Sequence, residues 1–524
     1  MAESDQLEEY RLRDAGTLRH LERLQLAFPT AKRQREALWV LKSDFSYAAS
    51  WDGRLWLGLV RFGRNIERRF GITNEVLILY VPYYDLQPRI LSALDAYKSS
   101  LPAGRLADKQ LLLIHCPDPD ADAKLESWSP SLGFSAVRLS SVGTIEEIAE
   151  RLIAGLVSRL SSRNLYEESL AVTGMDFYGR EDILRQLIFE LRQRNVCGVF
   201  GLRKSGKTSI IKELGRRFQG EDSGARIFVL RDMETLPTDP SLVESRLISD
   251  LRASFLVGFR ERGIRTHELA NLDSNEIGPF RRALEASLSD CRHRQVQVVL
   301  ALDEVESLVG DAKALASEDR AYVPEFLGAI RSLVQEYDNF NAILAGITDA
   351  TVERGQLYGR ENPLFSWAKP FYVGGMKPDE IERLTVQIGS RMALRWSSSA
   401  HTVMHETCRG NIFLHRTLAA EVSTSDSVSR SRVVTAEDVA SAIPRWQRKI
   451  VPRVREMIAS TRRHYPVEVE MLETFASDPA TFTELSNYYL DEINHLYELD
   501  LLRDEATGTI LGPLPQLLSQ FQQL

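Results

Sequence analysis

The sequence predicts an α/β protein built on a parallel sheet around a phosphate-binding loop. A smaller α/β unit precedes that core, and a helical segment and a helix-plus-hairpin tail follow it. Three observations carry the prediction. Strand-length apolar runs alternate with amphipathic helix patterns from residue 76 to residue 373. Between one such strand and the next helix lies Gly201-Leu202-Arg203-Lys204-Ser205-Gly206-Lys207-Thr208. A later apolar strand, 298–302, runs directly into Asp303-Glu304.

Composition bounds the rest. A chain of 524 residues has room for about three or four domains. Its 44% apolar and 26% charged residues are those of an ordinary soluble globular protein. A net charge of -8 excludes a whole-molecule electrostatic match to nucleic acid, so local charge must decide that question. The cysteines, Cys116, Cys197, Cys291 and Cys408, are far apart and read as reduced thiols of a cytosolic protein. No run approaches the ~20 apolar residues of a membrane span. The opening MAESDQLEEY is acidic and lacks a signal-peptide core. The expectation is a cytoplasmic chain with no membrane partner, no repeats and no low-complexity tract.

The first domain, 1–165, opens with helical patterning over 7–26 and 32–41. Strands follow at 76–80, 111–114 and, more weakly, 136–139. Helices are expected over 88–97, with proline in the first turn, and over 144–160, where Ile145, Ile148, Leu152, Leu156 and Leu160 share a face. The alternation argues for a mostly parallel sheet. Residues 161–176 read as a linker. The second domain, 166–375, has strands at 195–200, 226–230, 296–302, 342–347 and 371–373. About a hundred residues separate the first and third of these, with helix patterns at 242–259 and 277–291, more than one crossover needs. The third, 376–445, reads as all helical, with helices near 378–394, 400–407, 412–422 and 436–442; Thr435 is a plausible N-cap before Glu437 and Asp438. The fourth, 446–524, has helix patterns at 446–460, 467–476, 481–488 and 490–499. Two short apolar runs about Ala506-Thr507-Gly508 then read as a hairpin. Helices followed by a hairpin suggest a winged helix-turn-helix.

Strand, glycine loop, helix is the context in which this loop pattern binds nucleotide. Its glycines let backbone N–H groups close around a polyphosphate, and the helix N-terminus adds partial positive charge there. Gly201, Lys204, Ser205, Gly206, Lys207, Thr208 and Ser209 are the candidate phosphate contacts. Lys207 reaches the outer phosphates, and Thr208 offers its hydroxyl to Mg2+. At the acidic strand end, Asp303 suits the same Mg2+, and Glu304 suits polarising a water for attack on the γ-phosphoryl group. The candidate catalytic residues are thus Glu304 and Lys207, the metal residues Thr208 and Asp303, and the ligands ATP and Mg2+.

Upstream of the loop stands Phe177-Tyr178-Gly179-Arg180-Glu181. With this element the chain resembles, over about 177–445, the STAND class of AAA+-related ATPases, and more loosely the archaeal-type and replication-initiator ATPases. The resemblance implies an ASCE-type P-loop NTPase with a helical lid, and places Tyr178, Gly179 and Arg180 beside the adenine. It implies a γ-phosphate sensor at the polar end of the strand 342–347, for which Thr348 is the candidate. Asn362-Pro363-Leu364-Phe365 and Gly410-Asn411-Ile412 resemble two further family elements, the second with Ile412 where a proline is usual. Arg409 or Arg416 is the candidate lid arginine, and Arg331, Arg354 or Arg360 the candidate arginine finger.

From Pro444 to His464 the chain carries Arg445, Arg448, Lys449, Arg453, Arg455, Arg462 and Arg463 against Glu456, whereas residues 465–524 hold eleven acids and one base, Arg503. The expected recognition helix contains Asp491, Glu492, Glu498 and Asp500, which phosphates would repel. The tail therefore reads as a protein-docking or autoinhibitory module, and nucleic acid is not the favoured partner. His401, His405 and Cys408 share a helix face but lack a fourth zinc ligand. Pro117-Asp118 with Asp122-Ala123-Lys124 reads as a solvated turn, not a nuclease signature. The reading is an ATP-binding, slowly hydrolysing switch, tied to an N-terminal effector or sensor and to a protein partner or self-association through lid and tail. Resemblance adds bacterial signalling or anti-phage defence. The rivals are a DNA-binding initiator or remodelling ATPase using the winged helix, and an ATPase gating a nuclease-like or TIR-like N-terminal hydrolase.

Overall fold

The computed structural model describes residues 15–521 apart from 52–53, 71, 73–74, 93–96, 98–106, 133–134, 161–163, 168–171, 174–176, 221–225, 318–319, 393, 432 and 507. The patterning expected over 7–14 and much of the expected linker lie outside the described residues. The chain divides into two compact units. One comprises Met1–Glu168, Thr385–Ser397 and Ser423–Val434; the other comprises Ser169–Leu384, Ser398–Val422 and Thr435–Leu524.

The first unit holds a five-stranded sheet of β1 (Asp44–Trp51), β2 (Leu55–Arg61), β3 (Glu75–Tyr80), β4 (Ala107–His115) and β5 (Ser135–Arg138), in that spatial order. β3, β4 and β5 pair parallel, but β1, β2 and β3 pair antiparallel. The sheet is therefore mixed, and the expected mostly parallel sheet is corrected. The missed β1 carries Asp44, Ser46 and Ser50 among its apolar residues, so it makes no continuous apolar run. β3 is buried along its whole length, and its side chains alternate between two cores. Val76, Ile78 and Tyr80 join Leu111, Leu113 and Val137 on the face that meets Leu21, Leu24, Leu38, Leu152 and Leu156. Leu77 and Leu79 join Leu112, Ile114 and Ala136 on the other, with Ile90, Leu91 and Leu125. The helix expected over 88–97 is described as Pro88–Ser92, and residues 93–96 lie outside the description. The later parts of this unit contribute a parallel pair of two-residue strands, Arg395–Trp396 with Val433–Val434. That pair corrects the all-helical expectation for 376–445.

Asp118 is 1% exposed, whereas Asp120, Asp122 and Ala123 of the same turn are exposed to solvent. Its carboxylate accepts from Leu86 N (2.7 Å), Asp120 N (2.8 Å) and Lys124 Nζ (2.8 Å). These bonds, the Leu86 amide foremost, hold its pKa down at about 2.

The second unit is a P-loop NTPase fold. Its sheet uses β6 (Cys197–Phe200), β7 (Arg226–Asp232), β8 (Gln297–Asp303) and β9 (Phe340–Gly346). A hairpin of β10 (Gln356–Leu357) and β11 (Arg360–Glu361) stands apart, and β12 (Lys369–Tyr372) completes the sheet. The spatial order is β12-β6-β9-β8-β7, with every pairing parallel. β9 thus lies between the loop-bearing β6 and the acid-bearing β8. Period-two alternation divides the core. Val298, Leu300, Leu302, Ala342 and Leu344 face the helices Pro240–Glu261, Ile277–His293 and Tyr322–Glu336. Val299, Ala301, Ile343 and Ala345 face the helices Glu181–Arg192 and Lys207–Gly220. Both faces are covered, as a parallel sheet requires.

The helices expected separately at 436–442 and 446–460 are one, Ala436–His464, with Pro444 and Pro452 inside it. An interior proline costs about 3 kcal/mol. Val439, Trp446, Ile450, Val454 and Met457 are buried at helical spacing. Such side chains contribute roughly 1.5–3 kcal/mol each, so the stripe outweighs the two breaks. Thr435 caps this helix as expected, in a reciprocal box with Asp438. Three helices follow, Pro466–Ser477, Pro479–Leu485 and Leu490–Glu498. An antiparallel hairpin of Leu502–Glu505 and Gly508–Leu511 succeeds them, with Thr507 outside the described residues. The expected helix at 481–488 therefore stops early. A last helix, Pro513–Ser519, was masked by its prolines, although Pro513 sits where a helix start tolerates it. Among the described residues no helix is long and apolar enough to cross a membrane.

Candidate functional site

The site is assembled at the C-terminal ends of three adjacent strands. The amide of Gly201, directly after β6, donates to Gly346 O on β9 (3.3 Å), which seats the loop on the sheet. Lys204 and Gly206 have φ of 63° and 101°, so the loop curls in a conformation that favours glycine. A Cβ placed on Gly206 would meet nothing within 4 Å, so open space lies against that backbone. Ser205 Oγ is buried without a hydrogen-bond partner. Lys207 is 4% exposed, and its ammonium donates to Gly201 O (3.0 Å) and Leu202 O (3.1 Å). Two weak neutral acceptors around a buried cation, an orphaned hydroxyl and an open glycine cradle fit a polyphosphate. Ser209 Oγ accepts from Val172 N (3.2 Å), tying the preceding segment beside the loop.

Asp303, at the end of β8, is 2% exposed and lies beside the Thr208 hydroxyl. Burial raises its pKa, the charge of Glu304 adds to that, and the Thr208 hydroxyl and Lys207 oppose it. A buried carboxylate beside a threonine hydroxyl is a donor set for a hard, oxygen-seeking cation. These residues fit Mg2+. Glu304 sits at φ 55°, turned out of the strand, and its amide donates to Asp303 Oδ1 (3.1 Å). Its carboxyl is raised to about 7, first by burial and then by the hydrogen bond and charge of Glu306, against Lys207 and Arg203. Glu306 was not singled out in the sequence. Only its place two residues past Glu304 could have drawn attention to it. It is buried, and its Oε2 accepts from Ile347 N (3.0 Å).

Thr348 is buried just past the end of β9, between the ends of β6 and β8. Its hydroxyl accepts from Ala350 N (3.3 Å). Asn362 Nδ2 donates to Ala350, Thr351 and Arg354 carbonyls, and its Oδ1 accepts from Leu364 N, so this Asn-Pro-Leu-Phe segment caps a turn. Arg331 donates to Pro363 O (2.8 Å) and lies 5.4 Å from the Trp367 ring; Arg354 and Arg360 are exposed. Arg409 reaches Glu505 (3.3 Å), and Arg416 lies half-buried in the helix Ile412–Ser423. Tyr178 is half-buried. The amide of Arg180 donates to Glu380 Oε1 (2.8 Å) and its guanidinium to Gly374 O and Gly375 O. Gly179 sits at φ 68°, a conformation that favours glycine, and a Cβ there would lie 2.6 Å from Met376 Cε. The Tyr178–Arg180 turn thus fastens the segment 374–380.

In the tail, Arg445 and Lys449 pair with Glu421, and Arg462 with Glu473. Part of the basic stretch is therefore neutralised. Asp500 lies beyond the helix Leu490–Glu498, at φ 62°, and pairs with Arg503 (2.6 Å). That corrects its placement on the expected recognition helix. Among the described residues no group of three or more His, Cys, Asp or Glu could hold a metal ion, and all four cysteines are buried and free.

Residues 177–368 match the family model of an ATPase domain predominantly from Archaea. No curated protein matches the sequence. Among solved structures, a Walker-type ATPase of Pyrococcus abyssi is 17% identical with a TM-score of 0.47, over 68% of this chain and 99% of that one. The ORC2 protein of Aeropyrum pernix is 12% identical with a TM-score of 0.41, over 69% and 98%. The Holliday junction branch migration motor RuvB of Thermotoga maritima is 14% identical with a TM-score of 0.33, over 68% and 98%. Residues 177–368 are a P-loop ATPase domain, and the chain is an ATP-hydrolysing enzyme.

Proposed function

We propose that this chain is an ATP-driven molecular switch of the STAND type, in which residues 376–445 act as lid, 446–524 as a winged helix-turn-helix, and 1–165 as effector or sensor. The observation that carries the reading is the placement of Thr208 beside Asp303, with Lys207 and Glu304 next to them at one end of the sheet. Lys207 exchanges its two loop carbonyls for the outer phosphates of ATP. Ser205, Ser209 and the amides of Gly201, Lys204 and Gly206 complete the cradle, and Tyr178, Gly179 and Arg180 flank the base. Thr208 and Asp303 would hold Mg2+, which supplies positive charge to the phosphates and their leaving group. Glu304 takes the proton of the attacking water, and Thr348 senses the γ-phosphate. Hydrolysis on this plan is slow and regulatory.

The tail supports a protein partner over nucleic acid. Tyr488 and Leu490, at the start of the acidic helix, are 84% and 64% exposed, and exposed apolar clusters mark protein contacts. A signalling or anti-phage defence role is what the STAND resemblance adds. The test is Glu304→Gln in the full chain. ATP binding by calorimetry should persist while turnover is lost, and an unchanged turnover would remove the reading.

A further inference from the structure

The end of the sensor strand is held by a residue from the far end of the chain. Tyr465 joins the helices Ala436–His464 and Pro466–Ser477 and is 4% exposed. Its hydroxyl donates to Ile347 O (3.2 Å) and accepts from Asp349 N (3.0 Å). Those two groups belong to the residues on either side of Thr348. One phenolic oxygen therefore fixes the backbone that carries the Thr348 hydroxyl. The other side of the same turn is held by Glu306, which accepts from Ile347 N and reaches Glu304.

Tyr465 is itself held. Its ring meets His495 edge-on at 5.6 Å. His495 bonds Glu468 (2.8 Å) and faces Asp349 Oδ2 (3.5 Å), which also accepts from Tyr372 Oη (2.9 Å). The neighbouring Arg463 O accepts from Ala312 N in the loop after β8 (2.9 Å). Loss of the phenolic oxygen would leave both main-chain groups buried and unpaired, which is costly.

We infer that Tyr465 is a positioning residue for hydrolysis: its hydroxyl sets the pose of Thr348 and so makes γ-phosphate sensing depend on a docked C-terminal region. The inference rests on the reading of Thr348 as sensor. Its test is a double-mutant cycle in the full chain, with Tyr465→Phe, Thr348→Ala and both together. Single-turnover hydrolysis, affinity for a non-hydrolysable ATP analogue and thermal melting are read on each. Tyr465→Phe should slow hydrolysis about 10-fold with analogue affinity within about 2-fold. In the Thr348→Ala background it should slow hydrolysis by less than about 2-fold. A purely structural role would instead lower affinity and melting temperature and add its loss in either background, which would overturn the inference. A slow Thr348→Ala beside a normal Tyr465→Phe overturns it alone; a normal Thr348→Ala overturns the sensor reading as well. If Tyr465→Phe does not fold, His495→Gln, which removes the imidazole behind the ring, should give the same non-additive pattern, and full additivity would overturn the inference.

Discussion

Lys207 is nearly buried yet rests on two carbonyl oxygens of its own loop. A cation so placed gains far more from phosphate than from neutral acceptors. Lys207→Ala should lower ATP affinity by about 100-fold or more, measured by calorimetry. For Glu304→Gln the expected fall in turnover is ~100- to 10,000-fold, the range of a lost general base. The same carboxyl gives a pH dependence. Burial, with Glu306 beside it, raises its pKa to about 7. Below that pH it is protonated and accepts no proton. Turnover should therefore drop as pH falls through about 7, and a flat rate from pH 6 to 8 would speak against Glu304 as base. At this scale the loop and the acidic pair were readable, because their chemistry follows from residue type and spacing within a few positions. Glu306 and Tyr465 were not, because their shared partner Ile347, just past β9, is 41 and 118 residues away in sequence.

The helix Ala436–His464 shows the same division among elements. Pro444 and Pro452 disfavour a continuous helix, and its buried stripe prevails over them. Trp446 is 2% exposed and donates its indole N–H to Thr417 Oγ1 (3.0 Å). Trp446→Ala should destabilise the chain by ~3–5 kcal/mol, read as a lower denaturation midpoint. His495 ties the helix Leu490–Glu498 to Glu468 and Asp349. Burial alone would lower its pKa, but the Glu468 bond and the charges of Asp349, Glu468 and Glu498 raise it to about 9 from 6.5. A histidine raised by folding stabilises fully below its unfolded pKa and loses that contribution as pH climbs through the folded one. Melting temperature should decline between pH 6.5 and 9, and His495→Gln should flatten that decline. The five strands of the ATPase sheet were legible as apolar runs. β1 was not, because a strand with polar residues on its partly exposed side leaves too weak a pattern.

For the molecule as a whole, charge and association are the testable quantities. If the acidic tail docks protein, the full chain should show no DNA retention in a gel shift that steepens at low salt; steep salt-dependent binding would favour the initiator reading. Self-association through lid and tail predicts earlier elution from a sizing column with ATP and Mg2+ than without.

The amino-acid order alone determined the phosphate loop, the acidic strand end and the parallel alternation of the ATPase region, since each is a local pattern with one physical solution. It also determined the sign of the tail's charge. Tertiary structure alone decided that β9 runs between the loop strand and the acid strand, that Thr208 meets Asp303, and that the first unit's sheet is mixed. It alone brought Tyr465 to the flanks of Thr348. Those facts depend on which surfaces bury one another across long stretches of chain, and no window of neighbouring residues holds that information.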